Sequence, residues 1–194
     1  MSARLDRRDV VRDLLTDRGN TLVVAGLGAP AWDVTAAGDH DLTFPMWGAM
    51  GGAAMVGLGL ALAQPRRRVL VITGDGEMLM GLGSLATIAV QAPRNLRIVV
   101  LDNERYGETG MQDTHTAHGV DLTAIADGAG FPRTMTVKTR ADVAHLRRAI
   151  YGNAGLFFAT VKIAPEKAPL VLPPRDGVAL KARFKTALRS QSLK

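Results

Sequence analysis

The 194-residue chain contains no cysteine, which excludes a disulfide framework, a thiolate zinc site and a Cys-ligated iron–sulfur cluster. Aromatic residues make up only 5%, too few for the stacking surfaces that single-stranded nucleic-acid binders build. Neither G-x-G-x-x-G nor G-x-x-x-x-G-K-[ST] occurs, so nucleotide-binding readings lose support. The first residues, MSARLDRRDVVRD, are charged throughout and lack an apolar h-region, so the segment does not read as a signal peptide and a cytoplasmic location is expected.

Hydrophobic residues at 47% and charged residues at 22% are ordinary for a globular domain able to bury a core. The net charge of +6 is not spread evenly. From Lys162 onward there are eight basic and two acidic residues, while the preceding 161 residues hold sixteen of each sign. The basicity belongs to the tail, which argues against a nucleic-acid-binding body. No charged side chain occurs from Leu42 to Pro65, long enough to raise a membrane span. Pro45 and five glycines (48, 51, 52, 57 and 59) interrupt it, and the reading is instead a buried helix closely approached by backbone or ligand, with no membrane partner.

Hydrophobic spacing predicts an amphipathic helix over 4–18, a short strand over 21–26 and a buried helix over 49–63. Between them, residues 30–45 give no clear pattern beyond a turn at Ala37-Gly38-Asp39. A strand over 67–73, a single helix over 77–91 and a strand over 96–103 follow, then a polar loop over 104–120 of a length that is usually functional. Helices over 121–129 and 140–152 alternate with strands over 133–138 and 156–163. The chain divides into a body of 1–163 and a tail of 164–194, the latter a Pro-rich connector and a basic helix with Leu180, Phe184 and Leu188 on one face. Strands apolar on both faces, alternating with helices, predict a three-layer α/β/α fold with a mostly parallel sheet.

Ligands of such sheets bind at the carboxyl ends of strands. Two strand ends carry chemistry: Gly74-Asp75-Gly76 after the strand 67–73, and Asn103 after the strand 96–102. Asp75 and Asn103 offer one anionic and one neutral hard oxygen, which suits Mg²⁺ or Ca²⁺ completed by carbonyls, waters and phosphates. Gly76 and Glu77 open a helix whose free N–H groups favour phosphate. A strand-to-helix turn and a loop cap would look the same if these residues stood alone.

GDG followed by 26 residues and then Asn resembles the binding motif of the thiamine diphosphate-dependent enzymes. WGAMGGAAMVGLGLALA, GDG with LGSLATI, and DNERYGETGMQ are similar to the corresponding stretches of decarboxylases acting on sulfopyruvate or phosphonopyruvate. The resemblance spans roughly residues 40–163 and covers only the diphosphate-binding domain of that family. It implies the thiamine diphosphate-binding fold, with thiamine diphosphate and Mg²⁺ as cofactors. By that resemblance Asp75, Asn103 and the Arg105 carbonyl hold the metal. Gly48 and Met50 meet the aminopyrimidine, Met50 as an apolar wedge. Gly74, Gly76, Glu77, Tyr106 and Gly107 complete the cofactor site.

Two departures stand out. Asp102 occupies the first position of the usual Asn-Asn pair and adds a carboxylate beside the metal. Glu77 occupies a position where a small residue is common; its charge favours the helix dipole but repels diphosphate, so its side chain is expected to point away.

The family activates its cofactor with a Glu on a separate pyrimidine-binding domain. None of the four glutamates here, 77, 104, 108 and 166, has that placement. The resemblance therefore implies half an active site, with a pyrimidine-binding α subunit as partner supplying the Glu and a small 2-oxoacid as substrate. His115 is the candidate catalytic residue of the 104–120 loop, with Gln112 and Thr114 as further substrate contacts, and His40 as a second candidate; His145 reads as structural. Two rivals remain: the β subunit of a 2-oxoacid oxidoreductase, which has a similar YGxTGxQ stretch, and a non-catalytic cofactor-binding subunit. The basic tail helix is either a docking element for a partner or a solvated face.

Overall fold

A computed structural model describes residues 4–152 and 155–190. Its sheet consists of β1 (Leu22–Ala25), β2 (Thr43–Pro45), β3 (Val69–Gly74), β4 (Leu96–Asp102), β7 (Thr134–Val137) and β8 (Phe157–Lys162), in the order β2-β1-β3-β4-β8-β7 with every pairing parallel. Side chains alternate strictly between two cores. Val69 and Val71 of β3 face one cluster and Leu70 and Ile72 the other. That is why the strands read as unbroken apolar runs rather than as alternating ones.

The first face is covered by α3 (Ala53–Ala63), α5 (Ser84–Gln91), α6 (Leu122–Gly128) and α8 (Gly177–Ser190). The second is covered by α1 (Arg7–Leu15), α2 (Ala29–Ala36) and α7 (Arg140–Tyr151). The three-layer α/β/α expectation holds. Strong local signals sit where spacing placed the helices: Asp6 caps α1 through the Asp9 N–H, and Thr139 with Asp142 forms a capping box on α7.

Three segments differ from expectation. Helix α2 forms inside the stretch without a clear pattern, begun by Pro30 in its first turn and buried by Ala31 and Val34. The single helix expected over 77–91 is two, α4 (Asp75–Met80) and α5, parted at Gly81-Leu82-Gly83. The 104–120 loop is partly ordered: β5 (Arg105–Tyr106) and β6 (Gln112–Asp113) pair antiparallel, with an Arg105–Asp113 ion pair across them, and a 3₁₀ turn follows at His115–His118.

The tail folds back on the body. Leu180 and Phe184 are buried, the Phe184 ring lies 5.6 Å from that of Phe44 on β2, and Arg183 grips the Asp39 carboxylate with two nitrogens at 2.6 and 2.9 Å. The apolar face of the helix and Arg183 are thereby committed to its own domain, while Lys181, Lys185 and Arg189 stay exposed. No helix among the described residues is long and apolar enough to cross a membrane.

Candidate functional site

Strands β1 and β3 are neighbours, but the chain leaves β1 towards β2 and returns to form β3 on the other side. This reversal opens a crevice at the carboxyl ends of the strands, where sheets of this kind take ligands. A cleft of about 480 Å³ lies there. Gly74, Asp75, Gly76 and Glu77 line it from the β3–α4 junction, and Asn103, Arg105, Tyr106 and Gly107 from the segment after β4. Met50 closes it from the loop before α3. Residues drawn from three separated stretches of sequence thus share one hollow. Gly48 and His115 are not among its lining residues, and both are exposed, as is Gln112. Residue 40 sits at the opposite, amino end of β2, where His40 Nδ1 accepts the Leu42 N–H at 3.0 Å. A second hollow, lined by Arg133, His145 and Phe157, lies at the amino ends of β7 and β8 and holds none of the candidate residues.

Asp75 opens α4 and is 2% exposed. Its Oδ2 accepts from Thr114 Oγ1 at 2.6 Å and Thr116 Oγ1 at 3.3 Å. Thr116 Oγ1 also lies 2.8 Å from Asp102 Oδ1, so its single hydrogen is shared between the two carboxylates and links them. Burial raises the Asp75 pKa to about 6; the Thr114 hydrogen bond works against the rise and the nearby Asp102 adds to it. Asp102 is in turn held by Lys162 Nζ at 2.6 Å, which also reaches Glu104 Oε1 at 3.1 Å. Burial opposes charge on Lys162, but the two carboxylates outweigh it and hold its pKa above the ordinary value. The carboxylate that Asp102 adds beside Asp75 is therefore matched by a cation on the adjacent strand.

Asn103 Oδ1 accepts the Arg105 N–H at 3.0 Å, a local turn that fixes the amide near the cleft. Among the described residues no three His, Cys, Asp or Glu side chains gather to hold a metal ion on their own. The donors facing the cleft are one buried carboxylate, one amide and one carbonyl-bearing residue, a hard-oxygen set that fits Mg²⁺ shared with a phosphate-bearing ligand. The Tyr106 ring lies so close over Gly76 that a Cβ there would stand 2.7 Å from it, so only glycine permits this wall.

Glu77, although part of the lining, turns its carboxylate inward. Oε2 accepts the Leu27 N–H at 2.9 Å and the Thr73 hydroxyl at 2.8 Å, and Oε1 accepts the Ala53 N–H at 3.3 Å. Burial raises its pKa, and these donors partly offset the rise. Thr116 and Lys162 were not foreseen from sequence, because their roles depend on which strands are neighbours. The same holds for the Pro-rich connector: Pro165, Lys167, Ala168 and Leu170 form a wall of the cleft. Glu108 and Glu166 line it too, the Glu108 carboxyl lying against Gly28 at the start of α2.

With this geometry in view, residues 28–161 match the C-terminal TPP binding domain of the thiamine pyrophosphate enzymes. The chain belongs to that family. Within it, the chain is 39% identical over 184 residues to sulfopyruvate decarboxylase subunit beta of Methanothermobacter thermautotrophicus, covering 95% of this chain and 94% of the relative. It is 34% identical over 182 residues to sulfopyruvate decarboxylase of Methanosarcina acetivorans, covering 94% of this chain but 47% of that longer protein. These relatives are decarboxylases, hence carbon–carbon lyases. The crystal structure of benzoylformate decarboxylase from Polynucleobacter necessarius superposes with a TM-score of 0.70 at 21% identity, over 86% of this chain and 34% of the other, and shows the fold alone.

Proposed function

We propose that this chain is the thiamine diphosphate- and Mg²⁺-binding subunit of a decarboxylase acting on a small sulfopyruvate-like 2-oxoacid, completed by a pyrimidine-binding partner that brings the activating Glu. The observation that carries this reading is the convergence of Asp75, Asn103, Arg105 and Met50 on one cleft at the carboxyl ends of β3 and β4. When bound, thiamine diphosphate supplies the electron sink for loss of CO₂ from the 2-oxoacid. The chain's own residues bind and orient. Asp75, Asn103 and the Arg105 carbonyl would hold the metal, with Thr114 and Thr116 fixing the Asp75 carboxylate and Lys162 compensating Asp102. Met50 would support the aminopyrimidine end.

Two features favour a partner. A relative that is one polypeptide is about twice as long as this chain, which covers 47% of it. The loop and helix beside Met50 also present Trp47, Met55, Val56 and Leu62 to solvent at 38–51% exposure, and α3 carries no charge. Large apolar side chains exposed on and beside an uncharged helix favour an interaction site.

The test is calorimetric. The chain, purified with its partner, is expected to bind thiamine diphosphate only with Mg²⁺ present, and Asp75→Ala to weaken that binding by roughly 100-fold or more, since the buried carboxylate is the charged ligand of the set. Unchanged Mg²⁺-dependent affinity in Asp75→Ala overturns the assignment. Release of CO₂ from sulfopyruvate without reduction of a dye or ferredoxin separates a decarboxylase from an oxidoreductase.

A further inference from the structure

We propose that Glu77 is a positioning residue that locks the loop carrying Gly48 and Met50 onto the metal-binding helix α4, so that its loss is felt at the aminopyrimidine end of the cofactor and not at the diphosphate end. This rests on the reading of the cleft as a thiamine diphosphate site.

The carboxylate joins three parts of the chain that sequence keeps apart. Through Leu27 N–H it holds the exit of β1, through Thr73 Oγ1 the end of β3, and through Ala53 N–H the first turn of α3. Gly52, at the cap position of α3, offers no side-chain acceptor to those orphan N–H groups. Glu77 therefore caps α3 from another helix, and the Gly51 N–H adds a further favourable interaction. The chain makes room for this: a Cβ on Gly26 would stand 2.1 Å from Glu77 Oε2.

The same two pieces also meet backbone against backbone. A Cβ on Gly81, just after α4, would lie 2.2 Å from the Gly51 carbonyl oxygen, and Gly51 itself adopts φ +89. Just ahead of these fixed points, Ala49 adopts φ +58, a left-handed conformation that costs a residue with a Cβ and persists only where its surroundings impose it. Met50, next in the chain, reaches over the metal helix, with its methyl 3.6 Å from where a Cβ on Gly76 would be. The clasp thus sets where Met50 stands relative to Asp75.

The experiment uses the chain in complex with its partner and compares two probes at saturating Mg²⁺, thiamine diphosphate and inorganic diphosphate. Glu77→Gln keeps the size but places an NH₂ where one N–H or O–H donor needs an acceptor, which leaves a buried donor unmade. The expected result is binding of thiamine diphosphate about tenfold weaker with inorganic diphosphate within about twofold of wild type. A general loss of structure would weaken both probes alike, and that outcome overturns the proposal, as does no change in either. Gly81→Ala reaches the same loop contact with Glu77 intact and is expected to show the same selectivity, so the proposal stays testable if Glu77→Gln does not fold. Failure of the wild-type complex to bind thiamine diphosphate at all refutes the underlying site reading before any substitution is made.

Discussion

The two ends of the parallel sheet bury opposite charges. At the amino ends the buried side chains are arginines. Arg18 donates to the Thr21 and Leu42 carbonyls and to Thr43 Oγ1, Arg67 to the Asn20 carbonyl, and Arg97 to the Arg94 and Gly152 carbonyls. At the carboxyl ends they are chiefly carboxylates, Asp75, Glu77 and Asp102, each 5% exposed or less, with the neutral Arg7–Asp33 pair at the margin of the cleft. These arginines bond mainly to backbone carbonyls of loops entering the strands, and those bonds stay within the fold. Asp75 receives hydroxyls and its own backbone N–H, neutral donors that orient its charge without neutralising it. One end of the sheet buries cations bonded to its own backbone, and the other buries an anion that awaits a cation.

The amino end offers the sharpest way to break this comparison. Burial pushes the Arg18 guanidinium down to about 10, and its loss as Arg18→Met would strand the Thr21 and Leu42 carbonyls. The expected cost is roughly 2–4 kcal/mol, seen as a Tm fall of about 5–12 °C for a domain of this size. Affinity for Mg²⁺-thiamine diphosphate below the transition should stay within about twofold of wild type, since no bond of Arg18 reaches the cleft. A large affinity loss with unchanged Tm would show that the ends are not independent.

Lys162→Met gives an intermediate effect at the other end. Without the ammonium, Asp102 keeps a buried charge that only Thr116 and the Glu104 N–H satisfy. Isothermal unfolding in urea should show about 2–4 kcal/mol lost in the metal-free protein, and less with Mg²⁺ present, because the metal replaces the missing cation. An equal loss in both conditions would mean that Lys162 serves the fold alone.

Lys162 also shows where sequence reading stops. Asp102 could be seen as a carboxylate beside a metal ligand, but its partner lies 60 residues on and is brought opposite by the β4–β8 register, Asp102 against Lys162. The strands themselves were legible because both faces are apolar, and Asp75 and Asn103 because they end such strands. Helix α2 was not, since Ala-Pro-Ala-Trp has no polar–apolar stripe and its only charge, Asp33, is buried against Arg7 and Arg8 of α1. The Gly81-Leu82-Gly83 break was written in the sequence. Its meaning, room for the Gly51 carbonyl, was not.

The smallest effect separates the cost of Asp75 from its use. Below about pH 4 its carboxyl is protonated in both folded and unfolded chains and costs nothing. Between about 4 and 6 the unfolded chain has ionised while the folded one still holds its proton, so the metal-free protein loses stability as pH rises, and above about 6 the full cost is present. Asp75→Asn removes this titration. Relative to wild type without metal, it should have a Tm higher by roughly 2–6 °C at pH 7, with the difference shrinking towards pH 4. Saturating Mg²⁺ should narrow the gap at pH 7 by stabilising only the wild type, because a cation bound to the anion offsets what burial costs it. A wild type whose Tm ignores both pH over 4–6 and Mg²⁺ would mean that Asp75 is held as firmly as the arginines at the opposite end, and the contrast between the two ends would collapse.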